Sequence, residues 1–533
     1  MSQELRVVQK SGNSKAPVAL RPRPIERVCP LDLRALAPVA SATAAEVSQA
    51  VAKARVAQDA WRRLPFADRA SALKRAAKSL LERRFEALEL VRDEMGKLEI
   101  EGLFNEGLGP VDFMNGWIGV IKAHGQRQSI RLNPLAFPGK SASIDLVPRG
   151  VIGVIAPWNF PIAGLYRALF PALLTGNGVV IKPSEYTPLS SAWLAEVLAT
   201  ALPDGLIQVV HGDGAVGQAL LGAGIDACVF TGSPRAGQAV ALRCAELGIP
   251  SSLEMGGKDA AIVLADCDLD RTVAGVTHWA LSNVGQSCGA LEIAYVEAHI
   301  ADEFVARLAK TWPKLRMGPE DYADIGPLAN RKQFAIVQAH VADALAKGAT
   351  LVCGGQATGQ GLFFQPTVLD NCTEAMAVVS EETFGPVLAV VRVEGAADAI
   401  RRINQGKYGL GASIWTTDFD RAERLAERLD VGVVDVNNHS FTGAIAPLPW
   451  SGTRGTGFGV ANSHHALGVY TRPRALVIDR NTAPEPFWMP FDRTLWQMGQ
   501  ALSEAQLFDV RNAWKLPYLM QKRVATVRKF FGK

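Results

Sequence analysis

The chain has 533 residues, 48% of them hydrophobic and 20% charged, with 49 glycines, 30 prolines and a formal net charge of +4. Such a length leaves room for about three or four domains that bury their cores without covalent staples, and so small a basic excess argues against nucleic acid or a membrane as the partner of the main body. The seven cysteines, Cys29, Cys228, Cys244, Cys267, Cys288, Cys353 and Cys372, are scattered and form no CxxC pair, which argues against a disulfide framework or a zinc cage and fits a reducing compartment.

The N-terminus MSQELRVVQKSGNSK is polar and lacks an apolar signal core, and no apolar run reaches the ~18 residues that span a bilayer. A cytoplasmic location is expected. Residues 1 to about 40, with RPRPIERVCP, read as loose. From Ala45 to about Lys122 apolar residues recur at helical spacing. SIRLNPLAFPGKSASIDLVPRG then reads as two strands around a Pro-Gly turn. From Gly150 short Val- and Ile-rich runs (VIGVIAPW, GNGVVIKP, LIQVVHG, DACVFTG) alternate with helical stretches, as in a mostly parallel sheet covered on both faces. A second alternating series runs from SLEMGGKDAAIVLAD to about VGVVDVNN and predicts a second α/β domain. After Asp479 comes the proline-broken NTAPEPFWMPF, then an aromatic and increasingly basic tail.

Several residues in these segments carry chemistry. FTGSPRAG follows a strand-like run. Gly232 permits the turn, Ser233 suits a helix N-cap, Pro234 suits the first helical position and Gly237 allows close packing, a geometry that cradles a pyrophosphate. An ordinary strand–turn–helix junction reads the same way, and no GxGxxG occurs after these strands. Cys288, in SNVGQSCGALE, is either a nucleophile or a buried structural thiol. Glu254, in LEMGGKDA, is either a general base or a surface carboxylate at a strand end. The glycine pair after it marks a close backbone approach. Asn159, in APWNFP, either donates to an oxyanion or shapes a turn.

Taken together the segments resemble the aldehyde dehydrogenase superfamily over about residues 45–475. PWNFP at 157–161, IKPSE at 181–185, FTGS at 230–233, LEMGGK at 253–258, NVGQSC at 283–288 and EETFGP at 381–386 stand in the family's order, and LPWSGTRGTGFG at 448–459 resembles its late glycine motif. The resemblance implies a Rossmann-like NAD-binding domain (1–125 and 148–253), a second α/β catalytic domain (254–443), a small β-rich oligomerisation element (126–147 and 444–479) and an added C-terminal extension (480–533). It implies Cys288 as nucleophile, Glu254 as general base, and Asn159 with the Cys288 N–H as oxyanion donors. Lys182 and Glu185 would hold the adenosine ribose, with Ser184 beside them. Gly232 and Ser233 would meet the pyrophosphate, Glu382 and Phe384 the nicotinamide ribose and ring, and Trp158 would line the cleft. No metal is implied. The cofactor expected is NAD, with NADP as the alternative.

The sequence also departs from the family. Ile293 stands where an arginine often follows the nucleophile. Ala168 stands where a proton-relaying lysine is common, with Arg167 beside it. VNNHSFTGAIAPLPW is less typical and is expected at the substrate mouth. Tyr166, Trp279 and Phe441 are tunnel candidates, which favours an apolar or aromatic aldehyde. The rival readings are a CoA-acylating enzyme, disfavoured by Glu254, and a membrane-surface or scaffold member with residual activity. The resemblance implies a homodimer or homotetramer, and no nucleic acid is expected. Residues 511–533 hold seven Lys or Arg and no acid. Packing on a neighbouring subunit or over the substrate mouth is expected for this tail ahead of a peripheral membrane contact, because Pro517 interrupts any single long helix.

Overall fold

The structure, a computed structural model, describes residues 23–134, 136–320, 322–508 and 511–532. The polar N-terminal stretch and the first half of the segment read as loose, residues 1–22, lie outside them. The chain divides into two compact units, Met1–Gly125 with Val147–Arg472, and Gln126–Leu146 with Pro473–Lys533.

The first unit holds two open sheets. Val151–Ile155, Gly178–Lys182, Ile207–Val209, Ala227–Thr231 and Ser251–Glu254 form a five-stranded, wholly parallel sheet. Numbered along the chain, its strands lie in the order 3-2-1-4-5, the Rossmann-like order that opens a crevice beyond the carboxyl ends of strands 1 and 4. Strand 1, VIGVI, and strand 2, GVVIK, are buried along their whole length, because helices cover both faces. One is Ala44–Trp61, whose start is fixed by a capping box between Thr43 and Glu46.

The second sheet has seven strands, in the order Thr350–Cys353, Thr367–Asp370, Val387–Val393, Leu291–Glu297, Asp259–Val263, Gly411–Trp415, Val433–Val436. All neighbours run parallel except the Thr350–Cys353 edge strand, which is antiparallel to its neighbour. The chain changes sheets between Glu254, which ends the first, and Asp259, which begins the second. The two α/β layers inferred from the sequence are present, and the helical region expected before them comprises Ala44–Trp61, Phe66–Glu82, Arg84–Met95, a short turn at Glu99–Gly102 and Pro110–His124.

Three expectations need correction. Residues 25–39 are not loose: Ile25–Val28 pairs antiparallel with Ala35–Val39. Arg27, only 8% exposed, lies 2.6 Å from Glu94, and Cys29 and Leu31 join a small core with Leu98 and Phe363. A buried arginine inside a Pro- and charge-rich stretch hid the strand from an apolar pattern. Secondly, residues 444–472 stay with the first unit, while 473–533 group with 126–146. Main-chain bonds hold the former: Met255 N–H donates to Thr456 O and Gly459 N–H to Leu253 O, both at 2.9 Å. Thirdly, Pro517 starts the last helix, Leu516–Phe530, instead of interrupting it. Its missing N–H costs nothing in a first turn.

In the second unit, Gln128–Ile130 pairs antiparallel with Lys140–Pro148, as the Pro-Gly turn predicts, and Thr471–Asp479 flanks the other side. The helices Arg493–Gln506 and Leu516–Phe530 pack on each other. Among the described residues no helix is long and apolar enough to cross a membrane.

Candidate active site

The motif residues collect where strand ends meet. Trp158 and Asn159 follow strand 1 of the first sheet, Lys182 ends strand 2, Gly232 and Ser233 follow strand 4 and Glu254 ends strand 5. From the second sheet, Cys288 precedes Leu291–Glu297, Asp259 begins its strand, and Glu382 and Phe384 precede Val387–Val393. These last three segments enter adjacent parallel strands.

Cys288 follows a single 3-10 turn, Ser282–Gly285, in which Asn283 (φ 53°) and Val284 (φ 58°) are left-handed. A β-branched residue there costs about 1–3 kcal/mol unless its surroundings fix it. Side-chain amides do so. Asn283 Nδ2 donates to Asn159 O at 3.0 Å and to Gln286 O at 2.9 Å. Gln286 Oε1 accepts from Ala329 N–H at 2.8 Å, and Asn159 Nδ2 donates to Gln286 O at 3.0 Å. That bond uses one of the two N–H groups of the Asn159 amide. Asn159 is thus tied to the turn that carries the cysteine.

Cys288 is partly exposed and packs beside Leu410, Val433 and Trp450. Burial, then the charges of Glu254, Asp259 and Glu382, push its thiol up to about 12, and Arg167 opposes them. Glu254 is pushed up to about 7, mainly by burial, again against Arg167. Its Oε1 makes no hydrogen bond among the described residues, a costly state for a buried carboxyl oxygen. The late glycine motif sets this strand end: Gly457 bridges Glu254, and a Cβ on Gly459 would lie 2.8 Å from Leu253 backbone.

The glycine pair after Glu254 meets two other site residues. Gly257 N–H donates to Glu382 Oε1 at 2.9 Å, and a Cβ on Gly257 would fall 2.2 Å from Cys288 O. Burial, then the neighbouring Glu292, pushes Glu382 up to about 8. Glu292 accepts from the N–H groups of Thr383 and Phe384 at 2.8 and 2.9 Å, which fixes Phe384 at φ 54°. The Phe384 ring meets Trp158 edge-on, centroids 5.3 Å apart, and Tyr186 meets Trp158 at 6.4 Å.

On the first sheet Lys182 is buried and donates to Gly212 O at 2.9 Å. Its Nζ lies 3.8 Å from the half-exposed Glu185, and burial holds its pKa down. Ser184 Oγ accepts from Tyr186 N–H at 3.3 Å. Gly232 N–H bonds Glu254 O at 3.0 Å. Ser233 occupies the N-cap of Pro234–Leu247, but its side chain makes no capping bond, so the first turn keeps N–H groups to offer a ligand. Gly237 is needed for packing, since a Cβ there would lie 2.4 Å from Met255 Sδ.

The tunnel candidates separate. Tyr166 is core, stacked on Phe170 at 5.2 Å, with the tilted Phe113 ring at 5.5 Å. Trp279 donates to Asn438 at 2.8 Å, and Phe441 is exposed on its surface turn. Sequence reasoning missed the amides Asn283 and Gln286, the buried pair Lys97–Glu106 beneath Asn159, and His439, whose Nε2 lies 3.1 Å from Gly289 O and 3.4 Å from Asp259. The quoted NVGQSC string already contained Asn283 and Gln286. His439 lay in the quoted VNNHSFTGAIAPLPW, and nothing local marked Lys97 or Glu106.

The aldehyde dehydrogenase family model matches residues 19–476. A protein of Methylomonas sp. named 4,4'-diapolycopene aldehyde oxidase is 37% identical over 469 residues, 88% of each chain. The structure of a Mycobacterium tuberculosis aldehyde dehydrogenase complexed with NAD+ superposes with a TM-score of 0.81 at 33% identity, covering 86% of this chain and 95% of that one. An E. coli NADP dependent enzyme gives 0.81 at 32% identity with the same coverage. With its motifs in family order, a Rossmann-like sheet beside a second parallel sheet and a family match over most of its length, the chain belongs to the aldehyde dehydrogenase family.

Proposed function

We propose that this chain oxidises an apolar or aromatic aldehyde to the carboxylic acid with NAD as oxidant, through a thioester on Cys288 that water hydrolyses with Glu254 as general base. The observation that carries the reading is Glu254: a buried carboxyl, one oxygen without a partner among the described residues, raised to about 7 and exerting the largest charge effect on Cys288. The relative's name as an aldehyde oxidase supports an aldehyde substrate. The apolar wall of Leu410, Val433 and Trp450 beside Cys288 supports an apolar one.

The residues fit a dinucleotide. The uncapped N-terminus of Pro234–Leu247 with Gly232 and Ser233 suits a pyrophosphate. Lys182, Ser184 and Glu185 suit the adenosine ribose, Glu382 and Phe384 the nicotinamide ribose and ring, and Trp158 the cleft wall. In this reading the five-stranded sheet is the cofactor domain and the seven-stranded sheet the catalytic one. When bound, the nicotinamide supplies the hydride acceptor. NAD is favoured because Glu185 would face a 2′-phosphate with like charge; NADP is the alternative.

The chain's own groups do the rest. The Cys288 thiol, raised to about 12, gives up its proton to water as Sγ bonds the aldehyde carbon. The remaining Asn159 N–H and the Cys288 N–H stabilise the oxyanion, worth about 3–4 kcal/mol per donor in comparable sites. Once oxidised, the adduct is a thioester. Glu254 takes a proton from water as its oxygen attacks the acyl carbon, the C–S bond breaks, and the acid leaves. Intact-mass analysis of Glu254→Gln mixed with aldehyde and NAD tests the scheme. An acyl adduct on the Cys288 peptide is expected, and its absence would overturn the covalent route. A homodimer or homotetramer is also proposed, supported by the exposed edge strand Gln128–Ile130; a monomeric mass in solution would refute it.

A further inference from the structure

The second unit shows an outward face unlike an ordinary solvated surface. Its two helices bury Thr494, Met498 and Ala501 on one and Leu519, Arg523 and Val527 on the other. Trp496, half a helical turn from this buried stripe, is 71% exposed. Ahead of the helices the loop at 487–491 exposes Phe487, Trp488, Met489 and Phe491 by 51–71%. Four large apolar side chains exposed within five residues are a concentration that soluble surfaces rarely carry without a partner.

Arg523 holds that loop from inside. Its guanidinium is fully buried and donates to Pro486 O at 3.0 Å and Trp488 O at 2.5 Å, with Asp492 at 3.1 Å. The Pro486 and Trp488 carbonyls are therefore satisfied internally while the neighbouring apolar side chains stand exposed. That combination lowers the cost of moving the loop into a medium without water.

The same helix supplies the charge. Lys515, Lys522 and Lys529 recur every seven residues, so they share one face, and all are exposed along with Tyr518. Lys522 precedes Arg523, which ties ridge and loop into one body. No acid occurs between Arg511 and the end of the chain.

We propose that this unit docks peripherally on an anionic lipid bilayer, with the Phe487–Phe491 loop entering the headgroup–acyl boundary and the lysine ridge over the headgroups. Trp and Phe favour that boundary, and lysines favour anionic headgroups. A second copy of the chain fits less well, since its own lysine ridge would repel this one and protein interfaces are depleted in lysine. The contact is peripheral, because neither helix is long and apolar enough to cross.

Flotation of the full-length protein with phosphatidylcholine vesicles, with and without phosphatidylglycerol, tests this without any substrate. Binding is expected only to the anionic vesicles and should weaken with salt. Joint Lys515→Gln, Lys522→Gln and Lys529→Gln should weaken it about 100-fold, at about fivefold per lysine. Phe487→Ser with Trp488→Ser should also abolish flotation. Turnover of a water-soluble aldehyde and solution mass should stay unchanged in both variants, which shows that they fold. Wild-type protein that fails to float on anionic vesicles would overturn the proposal. So would either variant floating like wild type, or a change in solution mass, which would make a second copy the occupant.

Discussion

Glu382 rests on the backbone of a glycine pair: its Oε1 accepts from Gly257 N–H at 2.9 Å, and a Cβ on Gly256 would lie 2.2 Å from Oε2. Gly256 is glycine because a carboxylate occupies the space a side chain would need, and Gly257 because the Cys288 carbonyl does. Gly256→Ala should therefore displace Glu382, cost about 1–3 kcal/mol as overpacking does, and weaken NAD binding. Thermal unfolding and a fluorescence titration with NAD read the two effects, and wild-type affinity in the variant would detach Glu382 from the cofactor.

The free enzyme should hold Cys288 as a neutral thiol. With the thiol pushed up to about 12, alkylation by iodoacetamide should rise about tenfold per pH unit through the range where a free thiol, near 8.5, levels off. Glu254 is the strongest charge acting against the thiolate, so Glu254→Gln should speed alkylation at fixed pH above 7. Cys288→Ala should remove turnover while NAD binding persists. A plateau near pH 9 would contradict the shift.

Hydrolysis of the acyl-enzyme should follow the ionisation of Glu254. The carboxyl is raised to about 7, so the base is protonated below that value and free above it. Steady-state turnover should climb through about pH 7. Glu254→Gln should lose this limb and slow hydrolysis by about 10²–10⁴-fold, leaving a burst of NADH ahead of a slow phase. Acceleration of wild-type turnover by CoA would instead favour the acyl-transfer reading.

Cofactor choice should rest on Lys182 and Glu185, 3.8 Å apart. Glu185→Gln should raise kcat/KM for NADP by more than it changes that for NAD, since it removes the like charge and leaves the lysine. A wild-type enzyme that already prefers NADP would reverse the assignment.

Asn283→Ala should lose the bonds to Asn159 O and Gln286 O and place a Cβ-bearing residue without side-chain support at φ 53°. The expected cost is about 2–4 kcal/mol, with a fall in kcat. Asn283→Gly relieves the backbone and still lacks the bonds. If glycine restored stability and kcat together, the amide network would have no positioning role.

Legibility in the sequence followed the range of the interactions. Strands such as VIGVI, GVVIK and VLAVVRV are continuous Val- and Ile-rich runs, so both sheets could be read locally. The glycines at 256 and 257 announced a close approach, and its causes proved to be the Glu382 carboxylate, 125 residues from Gly257, and the Cys288 carbonyl. What could not be read were contacts with no local periodicity. Arg27 pairs with Glu94 from within a charged stretch. Arg167 was noted only as a neighbour of Ala168, yet its charge bears on both Cys288 and Glu254. The grouping of the tail with residues 126–146 joins segments more than three hundred residues apart.

Glu106 gives the site a fulcrum. Its buried carboxylate meets Lys97, which donates to Asn159 O at 3.1 Å. Its Oε2 also accepts the N–H groups of Ile162 and Ala163 at 3.2 and 2.7 Å, anchoring the start of the helix Ala163–Leu174 that bears Arg167. One carboxylate thereby sets the attitude of an amide on one side and a guanidinium on the other. A tilt at Glu106 would therefore shift the backbone of Asn159 and the start of the Arg167 helix together.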